Sequence, residues 1–237
     1  VRSRGLGDVY KRQVLEHIED PPRALAHIAR GLAPNGVLIG SVPNSGGVKL
    51  FSMSGHVNNP GNFEIPMGTP FAELLEMAGG VRDGHKLKAV IPGGSSTTVV
   101  PAETMLNTNM DYDSIAKAGS ALGSGAVIVM DETTDMVRAL RRISRFYYSE
   151  SCGQCTPCRE GTGWLYRMLT RIVEGKGTLS DLDKLDDVAS KIEGRTICAL
   201  GDAAAMPVRS FIKHFRHEFE YYIEHGRSMV DDGLPTV

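Results

Sequence analysis

The hydrophobic positions of the chain follow two different periods. Between residues 47 and 131, apolar side chains alternate with polar ones or form short apolar runs, as they do in β-strands. Beyond residue 131 they recur every three or four residues, as on one face of an α-helix. The strands predicted for the first part cover residues 48–54, 63–65, 86–91 and 126–130.

A short helix is predicted between the second and third of these strands. Phe71, Leu74 and Leu75 share one face of it, behind a proline at its start and ahead of a pair of glycines. The order strand, strand, helix, strand, strand predicts a small mixed sheet of the β-grasp type over residues 47–131. Residues 92–96 are rich in glycine but lack the Lys-Ser/Thr ending and the following helix of a phosphate loop, so a structural turn is predicted.

Four helices are predicted over residues 132–237, as a small bundle with two cysteine-bearing loops at one end. The third is predicted to open with a cap at Ser180, to carry acidic residues in its first turn and to run toward Glu193. The fourth begins at Pro207. The apolar stripes of the first, second and fourth helices are Met136, Leu140, Ile143 and Tyr147; Trp164, Leu165, Met168, Leu169, Ile172 and Val173; and Val208, Phe211, Ile212, Phe215 and Phe219.

The first 46 residues differ from the rest of the chain. Residues 1–13 are polar without useful periodicity, and we interpret them as an adaptor-like leader that takes no part in the fold. Residues 14–46 contain a helix-like run, the turn Pro34-Asn-Gly36 and an apolar strand. This stretch resembles the middle of a class I S-adenosylmethionine-dependent methyltransferase. The glycine-rich cofactor loop of that family would lie further upstream, so methyl transfer is not expected.

Composition and charge exclude some classes of function. The hydrophobic fraction of 41% and the charged fraction of 23% are those of a soluble globular protein. A formal net charge of −2 gives no support for nucleic-acid binding, which usually needs a strongly basic face. The apolar runs are too short to cross a bilayer, so any membrane association is expected through partner proteins.

Four cysteines, the only ones in the sequence, carry most of the candidate chemistry. Cys152, Cys155 and Cys158 lie within seven residues, and Cys198 lies forty residues beyond them in Thr-Ile-Cys-Ala-Leu-Gly-Asp. Three thiols in one loop and one distant thiol match a [4Fe–4S] cluster, in which each iron takes one thiolate. The following helix would place its N-terminal amides and dipole near the negative cluster. The pattern therefore predicts an electron carrier.

Other interpretations of the cysteines stay open at this point. Zinc more often uses two separated Cys-x-x-Cys pairs, or cysteine with a nearby histidine. Disulfides need an oxidising compartment, and no signal peptide is visible. Arg138, Arg141, Arg142 and Arg145 form a cationic face before the cysteines, which we interpret as solvated; the alternative is that they offset the charge of a cluster. His214 and His217, off the apolar stripe of their helix, are interpreted as solvated rather than as ligands.

Several long runs resemble the C-terminal part of the NADH-binding flavoprotein subunit of respiratory complex I, over about residues 48–220. The matching runs are Ser54-Gly-His-Val57, Val90-Ile-Pro-Gly-Gly-Ser-Ser96, Gly123-Ser-Gly-Ala-Val-Ile-Val-Met-Asp-Glu132, Glu150-Ser-Cys-Gly-Gln-Cys-Thr-Pro-Cys-Arg-Glu-Gly-Thr-Gly-Trp164 and Thr196-Ile-Cys-Ala-Leu-Gly-Asp-Ala-Ala-Ala205. The resemblance implies an α+β chain: a small β-grasp, soluble-ligand-binding domain over residues 47–131, followed by a four-helix iron–sulfur domain over residues 132–237.

The resemblance also implies a function. Cys152, Cys155, Cys158 and Cys198 would ligate a [4Fe–4S] cluster that takes electrons from FMN, reduced by NADH, and passes them toward quinone. The loop of Ala199, Leu200 and Gly201 would face the flavin. Implied partners are other peripheral-arm subunits, namely the [2Fe–2S] thioredoxin-like subunit and the large multi-cluster subunit. The implied location is peripheral, on the cytoplasmic face of a bacterial inner membrane or the matrix side in mitochondria.

The chain departs from this family at its start. The FMN- and NADH-binding domain of the family would precede Val48, where the methyltransferase-like fragment stands instead. We therefore hypothesise a chimera that carries the cluster domain and does not oxidise NADH alone. Alternative functions are the diaphorase subunit of an NAD-linked hydrogenase or formate dehydrogenase, which shares these domains, and a zinc-stabilised binding module.

Overall fold

The computed structural model describes residues 47–235 of the 237-residue chain. The adaptor-like leader of residues 1–13, the methyltransferase-like fragment of residues 14–46 and the chimera hypothesis that rests on them lie outside the described residues. No helix in the described part is long and apolar enough to cross a membrane.

Five strands of the described residues form one mixed sheet. Its order is β2-β1-β5-β3-β4, with β1 parallel to β5 and the other neighbours antiparallel. Ser52 in the middle of the sheet faces Asn62 on one side and Ala126 on the other. The strands are β1 (Val48–Gly55), β2 (Gly61–Pro66), β3 (Leu87–Ile91), β4 (Val100–Pro101) and β5 (Ala126–Asp131).

All four predicted strands are present, and the pattern missed only the short β4. Every residue of β3 is buried, because both faces of this strand are covered, and its run of apolar residues reflects that position. In β1 the inward residues are Phe51 and Met53, whereas Val48 and Leu50 are exposed. β4 escaped prediction because two residues, one of them a proline, give no period to detect.

Seven α-helices are described, three among the strands and four after them. α1 has the predicted position, and its buried residues are Phe71, Leu74 and Leu75. The sequence missed α2 and α3, which are only five and six residues long. The helices are α1 (Phe71–Met77), α2 (Ala102–Leu106), α3 (Tyr112–Lys117), α4 (Met136–Glu150), α5 (Thr156–Val173), α6 (Ser180–Ile192) and α7 (Leu200–His225).

The predicted start of the last helix at Pro207 is wrong, because α7 begins at Leu200 and contains Pro207 in its interior. Proline removes one backbone hydrogen bond from a helix. Ala204 and Ala205 are buried in the turns before it, so their packing holds the helix together through the proline. The predicted stripe from Val208 to Phe219 is buried, as expected.

Two smaller expectations for the helices also need correction. Trp164 is 51% exposed and lies outside the core, although Leu165 and Leu169 of the same stripe are buried. At the start of α6, Ser180 does not cap the helix; the buried carboxylate of Asp181 instead accepts a hydrogen bond from the backbone N–H of Thr178 at 2.8 Å. The carboxylate of Asp181, and not the hydroxyl of Ser180, therefore stabilises the turn at the start of α6.

The two faces of the sheet pack into two different cores. On one face, side chains such as Val90, Val127 and Val129 pack with α1 and the short helices. On the other face, Ala89 and Met130 pack with the apolar stripes of the four long helices. Because alternate residues of β3 enter different cores, the sheet is shared between the two parts of the described chain.

Candidate metal centre

The first three cysteines lie at the junction between α4 and α5. Cys152 follows α4 by two residues, Cys155 occupies the residue before α5, and Cys158 lies in the first turn of α5. Three thiols were expected in one loop. Cys152 and Cys155 lie in the loop, whereas Cys158 belongs to α5. Gly153 has a φ of 79°, the left-handed conformation that favours glycine, and turns the chain between the first two cysteines.

The fourth cysteine lies in the segment that joins α6 to α7. Cys198 is two residues before α7, and the hydroxyl of Thr196 donates a hydrogen bond to its carbonyl oxygen at 2.8 Å. A side chain at Gly201 would overlap the same threonine side chain, so glycine allows this segment to fold against the start of α7. Close packing at Gly201 therefore fixes the position of Cys198.

Two of the four cysteine sulfurs each have a polar group within hydrogen-bond distance. The N–H of Ile197 donates a hydrogen bond to the Sγ of Cys155 at 3.3 Å, which joins the two cysteine-bearing segments. The Oγ of Ser151 lies 3.2 Å from the Sγ of Cys158. Donors of this kind stabilise thiolates and tune the properties of a bound metal.

Arg159 fixes the turn that carries the first cysteines. Its guanidinium donates hydrogen bonds to the carbonyl oxygen of Gly153 at 2.9 Å and to the hydroxyl of Thr156 at 3.4 Å, and it forms an ion pair with Glu160. Sequence reasoning did not single out this arginine. Its position directly after Cys158 was the only available signal.

The thiols differ in exposure and do not converge fully. Cys158 is buried, Cys155 is half-buried, and Cys152 and Cys198 are exposed; all four are free thiols. Within residues 47–235, no group of three or more His, Cys, Asp or Glu side chains is arranged to hold a metal ion. The structure thus brings the two segments together through Cys155 and Ile197, while the exposed thiols lie on segments outside the helices.

The donor set and its surroundings fit an iron–sulfur cluster. Four thiols lie on two adjoining segments, one of them buried at the N-terminal turn of an 18-residue helix, and thiolates near helix N–H groups are the donors that such a cluster takes. Tetrahedral zinc also takes four thiolates. The chemistry of the four side chains therefore favours metals that thiolates bind, whereas their positions in the described structure do not yet form a metal site.

The residues predicted to face a flavin lie beside Cys198. Ala199 is exposed, Leu200 is half-buried and Gly201 is buried at the start of α7. The histidines interpreted as solvated, His214 and His217, are exposed, as expected. Desolvation lowers the pKa of each histidine; the positive charge of Lys213 lowers that of His214 further, and for His217 the charge of Lys88 lowers the pKa while Glu220 raises it.

The four arginines before the cysteines contact other groups. Arg138 pairs with Asp231, with 3.0 Å between Nη2 and Oδ2, and Arg141 donates a hydrogen bond to the hydroxyl of Thr170 at 3.1 Å. In the described part of the chain no hydrogen bond or ion pair joins any of the four to a cysteine. The interpretation of a solvated face fits Arg138, Arg142 and Arg145, which are exposed.

Two buried clusters of charged side chains outside the cysteine segments were missed by the sequence analysis. Asp131, at the end of β5, is fully buried; its carboxylate lies 2.7 Å from the Nδ1 of His56 and forms an ion pair with Arg82 at 3.0 Å. Lys88 of β3 and Glu218 of α7 form a buried pair at 2.7 Å. A lysine in an apolar strand was the available signal for the second pair, because buried lysines are rarely unpaired.

Two family models match the chain. Residues 138–222 match the NADH-ubiquinone oxidoreductase-F iron-sulfur binding region, a segment that contains all four cysteines. Residues 50–100 match the SLBB domain. The first match lies in the helical part of the described residues and the second in the strand-rich part.

Curated relatives of the chain include F subunits of NADH-quinone oxidoreductase from several bacteria. The chain is 54% identical over 184 residues to the F subunit of this enzyme from Rickettsia bellii, a match that covers 77% of this chain and 44% of the relative. It is 53% identical over 194 residues to the F subunit numbered 1 from Rhizobium meliloti, covering 81% of this chain and 45% of the relative. The chain thus spans less than half the length of these relatives.

A solved structure shares the fold. The crystal structure of an NAD⁺-reducing [NiFe]-hydrogenase in the H₂-reduced state superposes with a TM-score of 0.68 at 32% sequence identity. The match covers 77% of this chain and 31% of the hydrogenase chain.

Proposed function

Because the chain belongs, over 77% of its length, to the family of the F subunit of NADH-quinone oxidoreductase, we propose that it carries the electron-transfer part of that subunit. The proposed path runs from FMN, reduced by NADH, through a [4Fe–4S] cluster toward quinone. The chain spans less than half of its curated relatives, so NADH oxidation itself is proposed for the whole subunit. The described part would provide the cluster site and not the site of hydride transfer.

The ligands of the proposed cluster are Cys152, Cys155, Cys158 and Cys198. A [4Fe–4S] cluster bound by them would accept and release one electron at a time. The N–H of Ile197 and the hydroxyl of Ser151 would donate to cysteine sulfurs and so disperse the negative charge. Binding would require the exposed segments of the first and last cysteines to move until all four sulfurs converge.

One observation carries the proposal: all four cysteines of the chain fall within the matched iron–sulfur binding region, and the fold brings their two segments into contact. Residues 196–198 belong to no helix or strand, so a movement confined to them would leave α6 and α7 intact. The hydrogen bond from Ile197 to Cys155 joins the two segments that carry the proposed ligands, which supports binding of one cluster by both.

The finer features of the resemblance belong to this proposal. The strand order β2-β1-β5-β3-β4 and the match of residues 50–100 to the SLBB domain support a β-grasp, soluble-ligand-binding domain over residues 47–131. The four long helices support an iron–sulfur domain over residues 132–237. Ala199, Leu200 and Gly201 would face the flavin of the whole subunit, since they continue the segment that carries Cys198.

Other subunits of the same enzyme are the proposed partners. The curated relatives are subunits of a larger complex, and a cluster in this chain needs an acceptor outside it. We propose the [2Fe–2S] thioredoxin-like subunit and the large multi-cluster subunit as neighbours. The proposed location is peripheral, on the cytoplasmic face of the bacterial inner membrane or its mitochondrial equivalent.

Anaerobic reconstitution tests the cluster. After reconstitution and dithionite reduction, iron and sulfide analysis should give about four of each per chain, and low-temperature EPR should show a reduced-cubane signal. Bound zinc without an EPR signal would support a zinc-stabilised module and contradict the proposal. The absence of any bound metal in a chain that circular dichroism shows to be folded would also contradict it.

A second candidate is the diaphorase subunit of an NAD-linked hydrogenase or formate dehydrogenase. The superposition on the NAD⁺-reducing hydrogenase favours it, although at 32% identity against 54% for the quinone-linked relative. Co-purification distinguishes the two: a full-length protein from the source organism would be isolated with quinone-linked subunits in one case and with hydrogenase or formate dehydrogenase subunits in the other.

A further inference from the structure

A groove lined by arginines runs along the outer side of α4 and α5. Its volume is about 560 Å³. We call it the arginine groove and define it by Arg138, Arg141, Arg142, Arg145, Phe146 and Tyr166. The groove lies outside the residues to which the proposed function assigns a role, and no cluster is needed to form it.

The floor of the arginine groove is fixed by internal contacts. The guanidinium of Arg141 lies 5.9 Å from the centre of the Tyr166 ring and donates a hydrogen bond to the hydroxyl of Thr170. Tyr166 is stacked on Tyr148, with ring centres 6.0 Å apart. These contacts hold an aromatic surface and one positive charge in place before any partner binds, which lowers the cost of binding.

Two arginines of the groove have no acidic partner. Arg142 and Arg145 form no ion pair with any described residue, and neither has an acidic residue three or four positions away on α4. They lie three residues apart, so their like charges destabilise the helix. Several exposed cations elsewhere in the bundle are paired: Arg209 contacts Asp186 and Glu193, and Arg216, Lys191 and Lys184 also have acidic neighbours. Arg167, Arg195 and Lys213 are exposed and form no ion pair with a described residue, so it is the combination with an exposed aromatic ring that distinguishes Arg142 and Arg145.

An exposed aromatic ring lies beside these unpaired charges. Phe146 is 53% exposed and lies on the same helix, four residues after Arg142 and one after Arg145. Arginine and aromatic side chains are enriched at the centres of protein–protein interfaces. A solvated charged face explains the arginines but not the phenylalanine, whereas an interface explains both.

We propose that the arginine groove is a docking surface for an acidic segment of another protein. Carboxylates of the segment would bind Arg142 and Arg145 through paired hydrogen bonds, and apolar side chains between them would cover Phe146 and Tyr166. Complementary charge favours this occupant, because two guanidinium groups of the groove, those of Arg142 and Arg145, have no acidic partner among the described residues. Arg145 lies about 8 Å along the helix axis from the end of α4 at Glu150, and Cys152 follows two residues later, so docking would bring the partner near the cysteine segments.

A labelled peptide tests the docking surface on the full chain. The probe is a fluorescein-labelled peptide in which glutamate alternates with leucine and phenylalanine, and its control has glutamine in place of glutamate. Fluorescence anisotropy should show binding of the acidic peptide only. The Kd should rise roughly tenfold or more in Arg142→Gln/Arg145→Gln and several-fold in Phe146→Ala, because truncation of central interface residues has effects of this size.

Matched variants make the result specific. Lys117→Gln/Lys213→Gln removes the same charge from exposed positions outside the groove and away from the cysteine segments, and it should leave the Kd nearly unchanged. If peptide binding weakened equally in this control, the effect would come from the net charge of the protein and not from the groove, and the proposal would be overturned. Because the groove forms without metal, the same Kd is expected before and after cluster reconstitution, so failure of the proposed cluster would not affect the result.

Other occupants are distinguished in the same assay. Displacement of the peptide by millimolar inorganic phosphate, with no effect of Phe146→Ala, would indicate a small-anion site and overturn the proposal. Self-association in analytical ultracentrifugation that the Arg142→Gln/Arg145→Gln variant abolishes would assign the surface to a second copy of the chain and overturn it as well. No binding by the wild-type chain would also contradict it.

Discussion

Single residues decide how far the cysteine segments are prepared for a metal. Cys158 is buried in the first turn of α5 next to the hydroxyl of Ser151, whereas Cys198 is exposed on the segment before α7. The two therefore differ in what they contribute to the fold, although the proposed function gives them the same role. Substitutions at the two positions separate stability from metal binding.

Replacing Cys198 should remove the metal without unfolding the protein. In Cys198→Ala, iron after reconstitution should fall well below the value of about four per chain, since one iron loses its thiolate. The free energy of unfolding of the metal-free chain should change by less than about 0.5 kcal/mol, because the side chain is exposed. Iron analysis and urea unfolding check both values; unchanged iron content would exclude Cys198 as a ligand.

The hydroxyl of Ser151 should raise the reduction potential of a cluster bound by Cys158. A hydrogen bond to a ligand sulfur stabilises the reduced, more negative state, and Ser151 lies 3.2 Å from that sulfur. Ser151→Ala should therefore lower the potential in an EPR-monitored redox titration, whereas Ser151→Thr, which keeps the hydroxyl, should stay near the wild type. A potential that is the same in all three proteins would argue against this contact.

Asp131 should make the stability of the protein depend on pH in the acid range. Burial alone would raise its pKa, but hydrogen bonds from Thr133, His56 and Arg82 outweigh burial and hold the pKa below the usual value. A carboxyl whose pKa is lower in the folded state contributes stability above its unfolded pKa, near about 3.9, and loses it as the pH falls through the folded pKa.

Urea unfolding from about pH 6 to about pH 2 tests the role of Asp131. The free energy of unfolding should fall at the acid end, and the fall should be smaller in Asp131→Asn, which has no charge to lose. Asp113→Asn, at an exposed carboxylate in the first turn of α3, is the control and should keep the wild-type slope. Equal slopes in all three proteins would contradict the assignment.

At the scale of elements, β3 and α7 show why packing overrides local signals. β3 carries Lys88 in the middle of an apolar run, and α7 carries Pro207 in its interior. Neither residue favours its element, but the ammonium group of Lys88 pairs with Glu218 and donates a hydrogen bond to the carbonyl oxygen of Thr134 at 2.6 Å. The strand and the long helix thus stabilise each other.

Breaking the Lys88–Glu218 pair should be costly. Burial lowers the pKa of Lys88 and raises that of Glu218, and the attraction between them acts against both shifts. Lys88→Met leaves a buried carboxylate without its partner and should destabilise the protein by about 3–5 kcal/mol. In Lys88→Met/Glu218→Gln, which has no buried charge, much of the loss should be recovered; urea unfolding measures all three. A double variant as unstable as Lys88→Met would show that the loss comes from packing instead.

At the scale of the whole described part, the sheet and the helices share a core. Ala89, Ile91 and Met130 of the sheet belong to the same cluster as Leu140, Leu165 and Phe211 of the bundle. The sequence analysis placed a domain boundary at residue 131, where the spacing of hydrophobic residues changes. The packing has no gap there, because one core contains residues from both sides of it. The two proposed domains are therefore expected to depend on each other for stability.

This shared core predicts one cooperative unfolding transition for residues 47–235. Trp164, the only tryptophan, reports on α5, and hydrogen exchange of the amides of β3 and β5 reports on the sheet. Both should show the same urea midpoint, as two-state unfolding requires. Lys88→Met should shift both midpoints together. Two separate midpoints would show that the sheet and the bundle fold independently.

The sequence by itself determined the elements with clear periods and the identity of the four candidate thiol ligands. Strands β1, β2, β3 and β5, helix α1 and the stripes of the long helices follow from local spacing, which the fold preserves. Cysteine spacing indicated metal chemistry because few other patterns place three thiols within seven residues. The short elements β4, α2 and α3 could not be predicted, because two to six residues are too few to show a repeating hydrophobic pattern.

Only the tertiary structure decided what depends on contacts between distant residues. It placed Ile197 against the sulfur of Cys155, paired Lys88 with Glu218, and carried α7 through Pro207. It also left Arg142 and Arg145 without acidic partners among the described residues, beside an exposed ring. These contacts join residues separated by up to 130 positions, and local periodicity carries no information about such pairs because they form only when the elements pack.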